Sequence, residues 1–597
     1  MPFTKHITNM HAKTAVHSFH IPVMGLAFTI DSPIKVAQYG INSVVSIVDD
    51  VLIEKINEFY SHKYKLPFQY FPTKQLDSRA QRITSYLNNM DTIVKQKFEN
   101  FTTALSEKKE MLWNYLDMLP DYSELKRNLV GLVESNTPKK EIAKWLKKNI
   151  APGAIDVNIM TKLDNENYHK KTLLGKEYND AHAALRGFAK SNLHASIVLS
   201  AGMNPHLYSY FEKFEDFYPL KNGFLKKKVI LKVSDYRSAM IQGLFFAKKG
   251  IWVSEYRVES GLNCGGHAFA TEGLLLGPIL ETFTQNKETL IQQTFEIYSK
   301  ALSEKGKHCP TKPLPLAITV QGGVGTSEEH EFLINQYHVD SVGWGSPFLL
   351  VPEATTVDSK TNTLLQNATE EDLYLSTISP LGVPFNSVKG NSYELLKNNR
   401  SKENKIGSSC PKKFLAFDKQ YTEQSICTAS QKFQKIKIKK LNAMEMDETT
   451  YEKRFQDIVK KSCLCVGLSN AALLEKKINS KETNQGVLVC PGPNIAYFDK
   501  KVSLKKMIQH IYGKTTIIRQ QNRPHMFVKE LEMYVKYFQE KIIDFSKNPP
   551  KKSEKKTITF HKNLMEGILY YENLFKNSNP KILSQFSHFK SKLEKFL

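Results

Sequence analysis

The stretch ITVQGGVGTSEEHEFLINQYHVDSVGWGSPFLL, Ile318–Leu350, decides the fold of this chain. It predicts a strand over 316–320, a helix that begins at Glu328 with Thr326 or Ser327 as its cap, and a second strand over 340–342. Glycines follow both strands: Gly322, Gly323 and Gly325 after the first, Gly343 and Gly345 after the second. Two buried strands joined by a helix are typical of a parallel sheet that is covered on both faces.

The same unit recurs on the N-terminal side of this stretch. IPVMGLAFTIDSPIKVAQYGINSVVSIVDD, residues 21–50, predicts a strand over Val23–Ile30, a short helix over Pro33–Gln38 and a strand over Asn42–Val48. KKVILKVSDYRSAMIQGLFFAKKGIWVSEYRVES, residues 227–260, predicts two strands around a helix near Tyr236–Lys248. Several such units with glycine turns favour a closed (β/α)₈ TIM barrel of class α/β over an open sheet.

The remaining sequence divides the chain into five ranges. Residues 1–50 start the barrel, and residues 51–190, where apolar residues recur at helical spacing, predict a large helical insertion. Residues 191–385 complete the barrel. Residues 386–500 form a cysteine-bearing extension, and residues 501–597 predict a mostly helical C-terminal region.

Composition limits the class of protein. Of 597 residues, 41% are hydrophobic and 24% are charged, which is typical of a soluble globular protein. The chain has no apolar run long enough to span a membrane and no apolar leader, so we expect a cytoplasmic protein without membrane contact. The net charge of +23 leaves RNA binding through a basic surface as a secondary hypothesis, because only 10 of the 83 basic residues are arginine and no RNA-reading motif accompanies them.

The two glycine turns predict an anion site. Glycines let backbone N–H groups approach an anion closely, and a helix N-terminus favours negative charge. In TIM barrels, the loops after strands seven and eight commonly form one phosphate pocket. The alternative is a pair of tight turns that bind nothing.

These turns resemble the phosphate loops of the FMN-dependent barrel family that includes nitronate monooxygenases, formerly called 2-nitropropane dioxygenases. Enoyl reductases and the synthase domain of glutamate synthase are more distant relatives. The matching residues are Gly322-Gly323, Gly345-Ser346-Pro347-Phe348, Asn263-Cys264-Gly265-Gly266-His267 and Pro22-Val23-Met24-Gly25. In the third of these motifs, Asn263 stands where the family has Glu and Cys264 where it has Ala. The match covers about residues 21–48 and 193–353.

The resemblance implies FMN as a cofactor. The residues expected to bind it are Met24, Gly25, Lys232, Gly265, Gly266, Gln321, Gly322, Gly323, Gly325, Gly343, Gly345 and Ser346. Backbone N–H groups and the Ser346 hydroxyl would bind the phosphate. Lys232, near the end of the strand VILKV, would stabilise the reduced flavin, or would be an ordinary lysine at a strand end.

His267 is the candidate acid/base. It follows a barrel strand at the end where active sites are built, and an imidazole suits proton transfer at neutral pH. The alternatives are a loop histidine satisfied by backbone groups and a metal ligand together with Cys264. A further hypothesis is that Cys264 is an activated thiol beside His267.

Five of the seven cysteines fall between positions 410 and 490. Cys410, Cys427, Cys463 and Cys465 are candidate ligands of a [4Fe–4S] cluster or of zinc, with an iron–sulfur cluster favoured. Their spacing matches no simple zinc motif, so reduced structural thiols are the alternative.

The sequence therefore predicts an FMN-dependent oxidoreductase, a monooxygenase or a reductase, that acts on a small molecule. An RNA-modifying flavoenzyme and a non-enzymatic basic interaction module on the same barrel are the alternatives. Neither the substrate nor the oligomeric state follows from the sequence.

Overall fold

Eight parallel strands close into a barrel in the computed structural model, which describes residues 16–595 apart from 201, 482, 520–521, 548–552 and 578. The strands are β1 Phe19–Ile21, β2 Asn42–Ser46, β3 Ile155–Ile159, β4 Ala195–Leu199, β5 Lys227–Val233, β6 Val253–Glu259, β7 Ala317–Gln321 and β8 Ser341–Gly343. Each strand pairs with its neighbour in sequence, and Phe19 of β1 lies opposite Val342 of β8 to close the barrel. The predicted α/β barrel is confirmed.

Helices connect the strands on the outside. They are α1 Ser32–Val36, α2 Asp50–Tyr64, α3 Ser78–Glu107, α4 Lys109–Met118, α5 Glu124–Glu134, α6 Lys139–Asn149, α7 Asp180–Ala189, α8 Pro205–Tyr210, α9 Tyr236–Lys248, α10 Leu276–Glu304 and α11 Ser327–Tyr337. The predicted helix near Tyr236–Lys248 matches α9, and Gly250 beyond its end has φ +69°. Thr326 caps α11, because its side chain accepts a hydrogen bond from the Glu329 N–H.

The first strand differs from the prediction. It lies at Phe19–Ile21, whereas the predicted strand over Val23–Ile30 is a loop. Ala27, Phe28 and Ile30 of that loop are buried. An apolar run indicates burial but does not distinguish a packed loop from a strand. The loop turns at Gly25, whose φ is +53°, and thereby comes to lie over the barrel mouth.

The predicted helical insertion over 51–190 also contains elements of the barrel, among them β3 and α7. The added helices α3–α6 lie over 78–149, and α4–α6 share a separate small core with the C-terminal part of α3. The sequence IDVNI of β3 alternates apolar and polar residues, which is a strand signal, but it is only five residues long and follows a long helical stretch, so the prediction missed it. A short hairpin, Tyr168–His169 with Thr172–Leu173, follows β3.

We use the term extension for all described residues after Leu350, and it contains a hairpin of β9 Leu373–Ser376 and β10 Phe385–Val388. Its helices are α12 Ser359–Asn367, α13 Ser392–Lys402, α14 Gln431–Asn442, α15 Glu448–Val459, α16 Leu464–Gly467, α17 Asn470–Glu475, α18 Leu504–Ile511, α19 Met526–Lys547, α20 Ser553–Phe575 and α21 Pro580–Glu594. Among the described residues, no helix has both the length and the apolar character needed to cross a bilayer. Residues 1–15 of the predicted first range lie outside the described residues.

Candidate functional site

A cavity of about 270 Å³ lies at the carboxyl ends of the barrel strands. Loops after β1, β5, β6, β7 and β8 line it, and so does a segment of the extension. The predicted residues found in its wall are Met24, Gly25, Lys232, Gly265, Gly266, His267, Gln321, Gly322, Gly323, Gly343, Gly345 and Ser346. The volume is close to the lower end of the range for small-molecule and cofactor sites.

The two glycine turns face this cavity with free backbone donors. The N–H groups of Gly323 and Gly345 have no hydrogen-bond acceptor among the described residues. Gly323 has φ +79°, and a Cβ there would lie 2.1 Å from Asn263 Nδ2. A Cβ on Gly345 would meet only Pro22, at 3.5 Å, so the space beside this residue is open. Each turn therefore has a backbone N–H donor that an anion could accept.

The backbone N–H of Gly325, predicted to bind the phosphate, already has a partner within the chain. Its N–H donates to Glu329 Oε2 at 2.8 Å, and Gly325 does not line the cavity. Glu329 in turn accepts a hydrogen bond from Arg523 Nη1 at 2.6 Å. A carboxylate of α11 thus satisfies the donor that sequence reasoning assigned to a ligand.

Two buried asparagine side chains in the cavity wall each have an amide oxygen without a hydrogen-bond partner. Asn158 Oδ1 on β3 and Asn263 Oδ1 after β6 make no hydrogen bond within the described structure. Leaving such an oxygen buried and unpaired costs roughly 1–3 kcal/mol, so each needs an explanation. Both residues lie in the cavity wall, so N–H or O–H groups of a ligand are candidate partners for these oxygens. The prediction missed Asn158, although a polar residue near the carboxyl end of a barrel strand could have indicated it.

A lysine and a glutamate form an ion pair at the floor of the cavity. Lys232 Nζ lies 2.8 Å from Glu259 Oε2, at the ends of the adjacent strands β5 and β6. Gln321 Nε2 donates to the same carboxylate oxygen at 3.0 Å. Glu259 therefore neutralises Lys232, and sequence reasoning had not singled out this carboxylate.

His267 lies in the cavity wall, against the β9–β10 hairpin of the extension. Its Nε2 lies 2.7 Å from Ser379 Oγ, and its ring packs edge-on against Phe385 at 4.9 Å. Burial lowers the pKa of His267 to about 4, so the imidazole is neutral at neutral pH. A neutral imidazole can donate one proton and accept another.

Cys264 is not an activated thiol. Burial raises the pKa of its thiol far above the ordinary value, and Sγ lies 3.7 Å from the Gln321 carbonyl oxygen. Among the described residues, no three histidine, cysteine or acidic side chains are grouped so that they could hold a metal ion. The structure therefore gives no support to a metal site of His267 with Cys264.

The extension completes the cavity. Gly266 N–H donates to the Cys490 carbonyl oxygen at 3.1 Å, and Gly492 N–H donates to Ser346 Oγ at 2.7 Å. Asn494 Nδ2 donates to the Val324 carbonyl oxygen at 2.7 Å. Residues 490–494 thus bridge the loops after β6, β7 and β8, and no motif in the sequence had indicated this.

The four candidate ligand cysteines lie in the extension, and the parallel bridge of Ser408 with Ser430 brings the turns at Cys410 and Cys427 side by side. Among the described residues, these cysteines are not grouped in a way that could hold a metal ion. All four are buried and none forms a disulfide.

Comparisons with known proteins give only distant likenesses. No protein-family model matches the chain, and no curated protein is similar to it in sequence. Solved structures with a similar outline include FabK from Thermotoga maritima, with 12% identity, a TM-score of 0.30, and coverage of 67% of this chain and 82% of that one. The enoyl reductase domain of MlnA from Bacillus amyloliquefaciens has 14% identity, a TM-score of 0.34, and coverage of 66% and 86%. Nitroalkane oxidase from Streptomyces ansochromogenes has 8% identity, a TM-score of 0.29, and coverage of 63% and 84%. These values are too low to assign an activity to the chain.

Proposed function

We propose that the chain is an FMN-dependent oxidoreductase that acts on a small organic substrate in the cavity at the barrel mouth. The observation that carries this proposal is a set of unpaired groups in one cavity. It combines the free N–H groups of Gly323 and Gly345 with the unpaired oxygens of Asn158 and Asn263. FMN has both complements, an anionic phosphate for the donors and hydroxyl and ring N–H groups for the acceptors.

The residues present fit this cofactor. The N–H groups of Gly323 and Gly345 and the Ser346 hydroxyl would bind the phosphate. The loop with Met24 and Gly25 would cover the ring system, and Lys232 and Gln321 at the cavity floor would face its polar edge. Bound FMN supplies hydride or electron-pair transfer.

The chain's own groups would manage the proton and exclude water. Neutral His267 would hold or move one proton at a ring nitrogen, with Ser379 fixing the orientation of the ring. Cys264 stays a thiol and would act as a packing group toward the substrate. Residues 490–494 close one side of the cavity and limit the access of water.

Two reaction classes are compatible with this site, oxidation of a nitronate with oxygen and reduction of an activated alkene. The loaded protein distinguishes them under anaerobic conditions. Bleaching of the flavin absorbance by a nitronate supports the first class, whereas bleaching by NADH or NADPH and recovery on adding an enoyl thioester support the second.

The cofactor itself is tested by purification of the full chain. We expect a yellow protein that releases about one FMN per chain on denaturation. A colourless protein that takes up no FMN from excess cofactor would contradict the proposal.

A matched pair of variants locates the phosphate. Gly345→Ala adds a methyl group beside the proposed phosphate, whereas Gly131→Ala adds one where no atom lies within 4 Å. We expect FMN affinity to fall about tenfold or more in the first variant and to stay unchanged in the second. Circular dichroism checks that both fold, and equal FMN affinity in both would contradict the assigned phosphate position.

A further inference from the structure

A second, smaller cavity lies within the extension, at one face of helix α13. Its volume is about 80 Å³, and a single water needs only about 10–15 Å³ of such space. Tyr393, Lys397 and Arg400 line it from α13, at the spacing that places side chains on one face of a helix. Loop residues within 405–408, 461–463 and 484–485 form other parts of the wall. The cavity can therefore hold a group larger than one water.

The charged side chains in the wall of this cavity are all positive. Four of the lining residues are basic, and no acidic residue is among those described in the wall. The four are Lys397, Arg400, Lys405 and Lys461. The nearby Glu403 pairs with Lys405 at 2.9 Å, but both side chains are more than half exposed, so water screens this pair. Like charges around a small cavity repel each other, and a bound anion would offset that repulsion.

Two of these cations are held by neutral oxygens instead of carboxylates. Lys397 Nζ donates to the Lys460 carbonyl oxygen at 2.8 Å and to Ser462 Oγ at 2.9 Å. Lys461 Nζ donates to the Ser379 carbonyl oxygen at 3.0 Å and to one further carbonyl oxygen of the same segment. Burial lowers the pKa of both ammonium groups, so nearby negative charge does not offset their desolvation. An ammonium has three donors, and each of the two lysines therefore keeps one that an anion could accept.

Arg400 and Gly407 add donors that have no acceptor within the described structure. The Arg400 guanidinium makes no hydrogen bond or ion pair with the described residues. The Gly407 N–H likewise has no acceptor among them. Gly407 has φ +75°, and a Cβ there would lie 2.7 Å from the Gln431 backbone nitrogen, so this turn requires glycine. Arginine forks and free backbone N–H groups are the donors with which proteins bind phosphate.

We propose that this cavity binds a phosphate group, either as the free ion or as one end of a small phosphorylated molecule. A phosphate monoester carries about −1.5 to −2 charges at neutral pH and has three strong acceptor oxygens, which match the cations and the free donors of the wall. Arg400, Lys405 and Asn484 are exposed, so the ligand can enter from solvent. This cavity and the one at the barrel mouth share no lining residue among those described, so the proposal does not depend on the flavin.

The test is isothermal titration calorimetry of the full chain with sodium phosphate at constant ionic strength. Excess FMN is present throughout, so that phosphate does not enter the glycine turns at the barrel mouth. We expect about one phosphate per chain with a Kd below about 1 mM, and at least about tenfold weaker binding of sodium acetate. Acetate binding as tight as phosphate binding, or no saturable binding up to about 10 mM phosphate, would overturn the proposal.

Glycerol 2-phosphate in the same titration distinguishes the two sources of the phosphate group. Binding at least as tight as that of inorganic phosphate assigns the site to a phosphorylated molecule. Weaker binding assigns it to the free ion.

A matched pair of variants on one helix locates the site. Arg400→Gln removes a cation of the cavity wall, whereas Lys402→Gln removes one from the same helix outside the wall. We expect phosphate affinity to fall at least about tenfold in the first variant and to stay within about twofold in the second. Far-UV circular dichroism checks that both fold, and FMN affinity should be unchanged in both. Equal phosphate affinity of the two variants would overturn the assigned position, whether or not the chain binds FMN.

Discussion

At the scale of single residues, burial rather than residue type sets the chemistry of the site. His267 and Cys264 look like a reactive pair in the sequence, only three positions apart. In the folded chain, desolvation keeps the imidazole neutral and the thiol protonated. Sequence reasoning could place these two residues in the site but could not give their protonation states, because burial depends on elements far away in the chain.

The neutral state of His267 can be measured. Because burial lowers its pKa to about 4, the ring should stay uncharged throughout the range in which an exposed histidine titrates. Histidine-selective ¹³C labelling with NMR detection follows the titration, and the signal is assigned by its absence in His267→Gln. A midpoint near the ordinary value of about 6.5 would contradict the prediction.

Glu530 gives a second prediction at this scale. Its carboxylate accepts hydrogen bonds from the Ser260 hydroxyl at 2.5 Å and from the Leu276 N–H at 2.9 Å. Burial raises its pKa from 4.5 to about 7, so over that interval the folded chain keeps a proton that the unfolded chain releases. The free energy of unfolding should therefore fall by roughly 3 kcal/mol as pH rises through this window.

Glu530→Gln should lack this loss of stability, because an amide keeps the acceptor and does not titrate. Urea unfolding of both proteins at several pH values measures the difference. As pH rises, the free energy of unfolding of the variant should increase relative to that of the wild type. Parallel stability curves for the two proteins would contradict the prediction.

At the scale of elements, the ends of helices and the turns before them set the geometry of the barrel mouth. Helix α11 begins directly after the first glycine turn, and Glu329 in its first turn fixes Gly325. Arg523, from the segment before α19, pairs with Glu329 and donates to the Gly323 carbonyl oxygen at 2.6 Å. One arginine of the extension thus fixes the shape of the turn proposed to bind phosphate.

Removing this arginine should loosen the turn. Burial raises the pKa of Glu329, but Arg523 and the nearby N–H groups lower it below its ordinary value, so the carboxylate is charged and almost fully buried. Arg523→Gln leaves that charge unpaired and should destabilise the chain by about 3–5 kcal/mol. Adding Glu329→Gln to this variant should recover part of the lost stability, because it removes the unpaired charge.

A double-mutant cycle by urea unfolding measures this coupling. FMN affinity, measured on the same set of proteins, should fall with Arg523→Gln. Strictly additive stability changes would show that the two side chains act independently.

At the scale of the whole molecule, the barrel could be predicted, whereas the way the extension completes it could not. Helix α9 and the strands flanking α11 could be predicted from the spacing of their apolar residues and from the glycines that follow them. Strand β3 was missed although IDVNI alternates apolar and polar residues, because it is short and follows a long helical stretch. Gly492, Arg523 and Glu530 reach the mouth from positions well over one hundred residues away, and no local pattern indicates such contacts.

The C-terminal helices should therefore be inseparable from the barrel. Tyr571 of α20 accepts a hydrogen bond from the Gly277 N–H at 2.9 Å, and Phe527, Leu531 and Tyr534 of α19 are fully buried. A chain ending at residue 500 should lose its cooperative thermal transition and aggregate, because these apolar contacts would be exposed. A chain ending at residue 595 is the control. A soluble truncated protein that melts cooperatively and binds FMN would contradict this prediction.

The bridge of residues 490–494 and the contact of Glu530 with Ser260 also set an order of events during synthesis. Strand β8 ends at Gly343, so the ribosome completes the barrel strands long before it releases Glu530. At about 5–20 residues per second, the nascent barrel keeps an open mouth for roughly 10–40 s. A ligand that enters during this interval meets an uncovered pocket, and the late-emerging extension then folds over it.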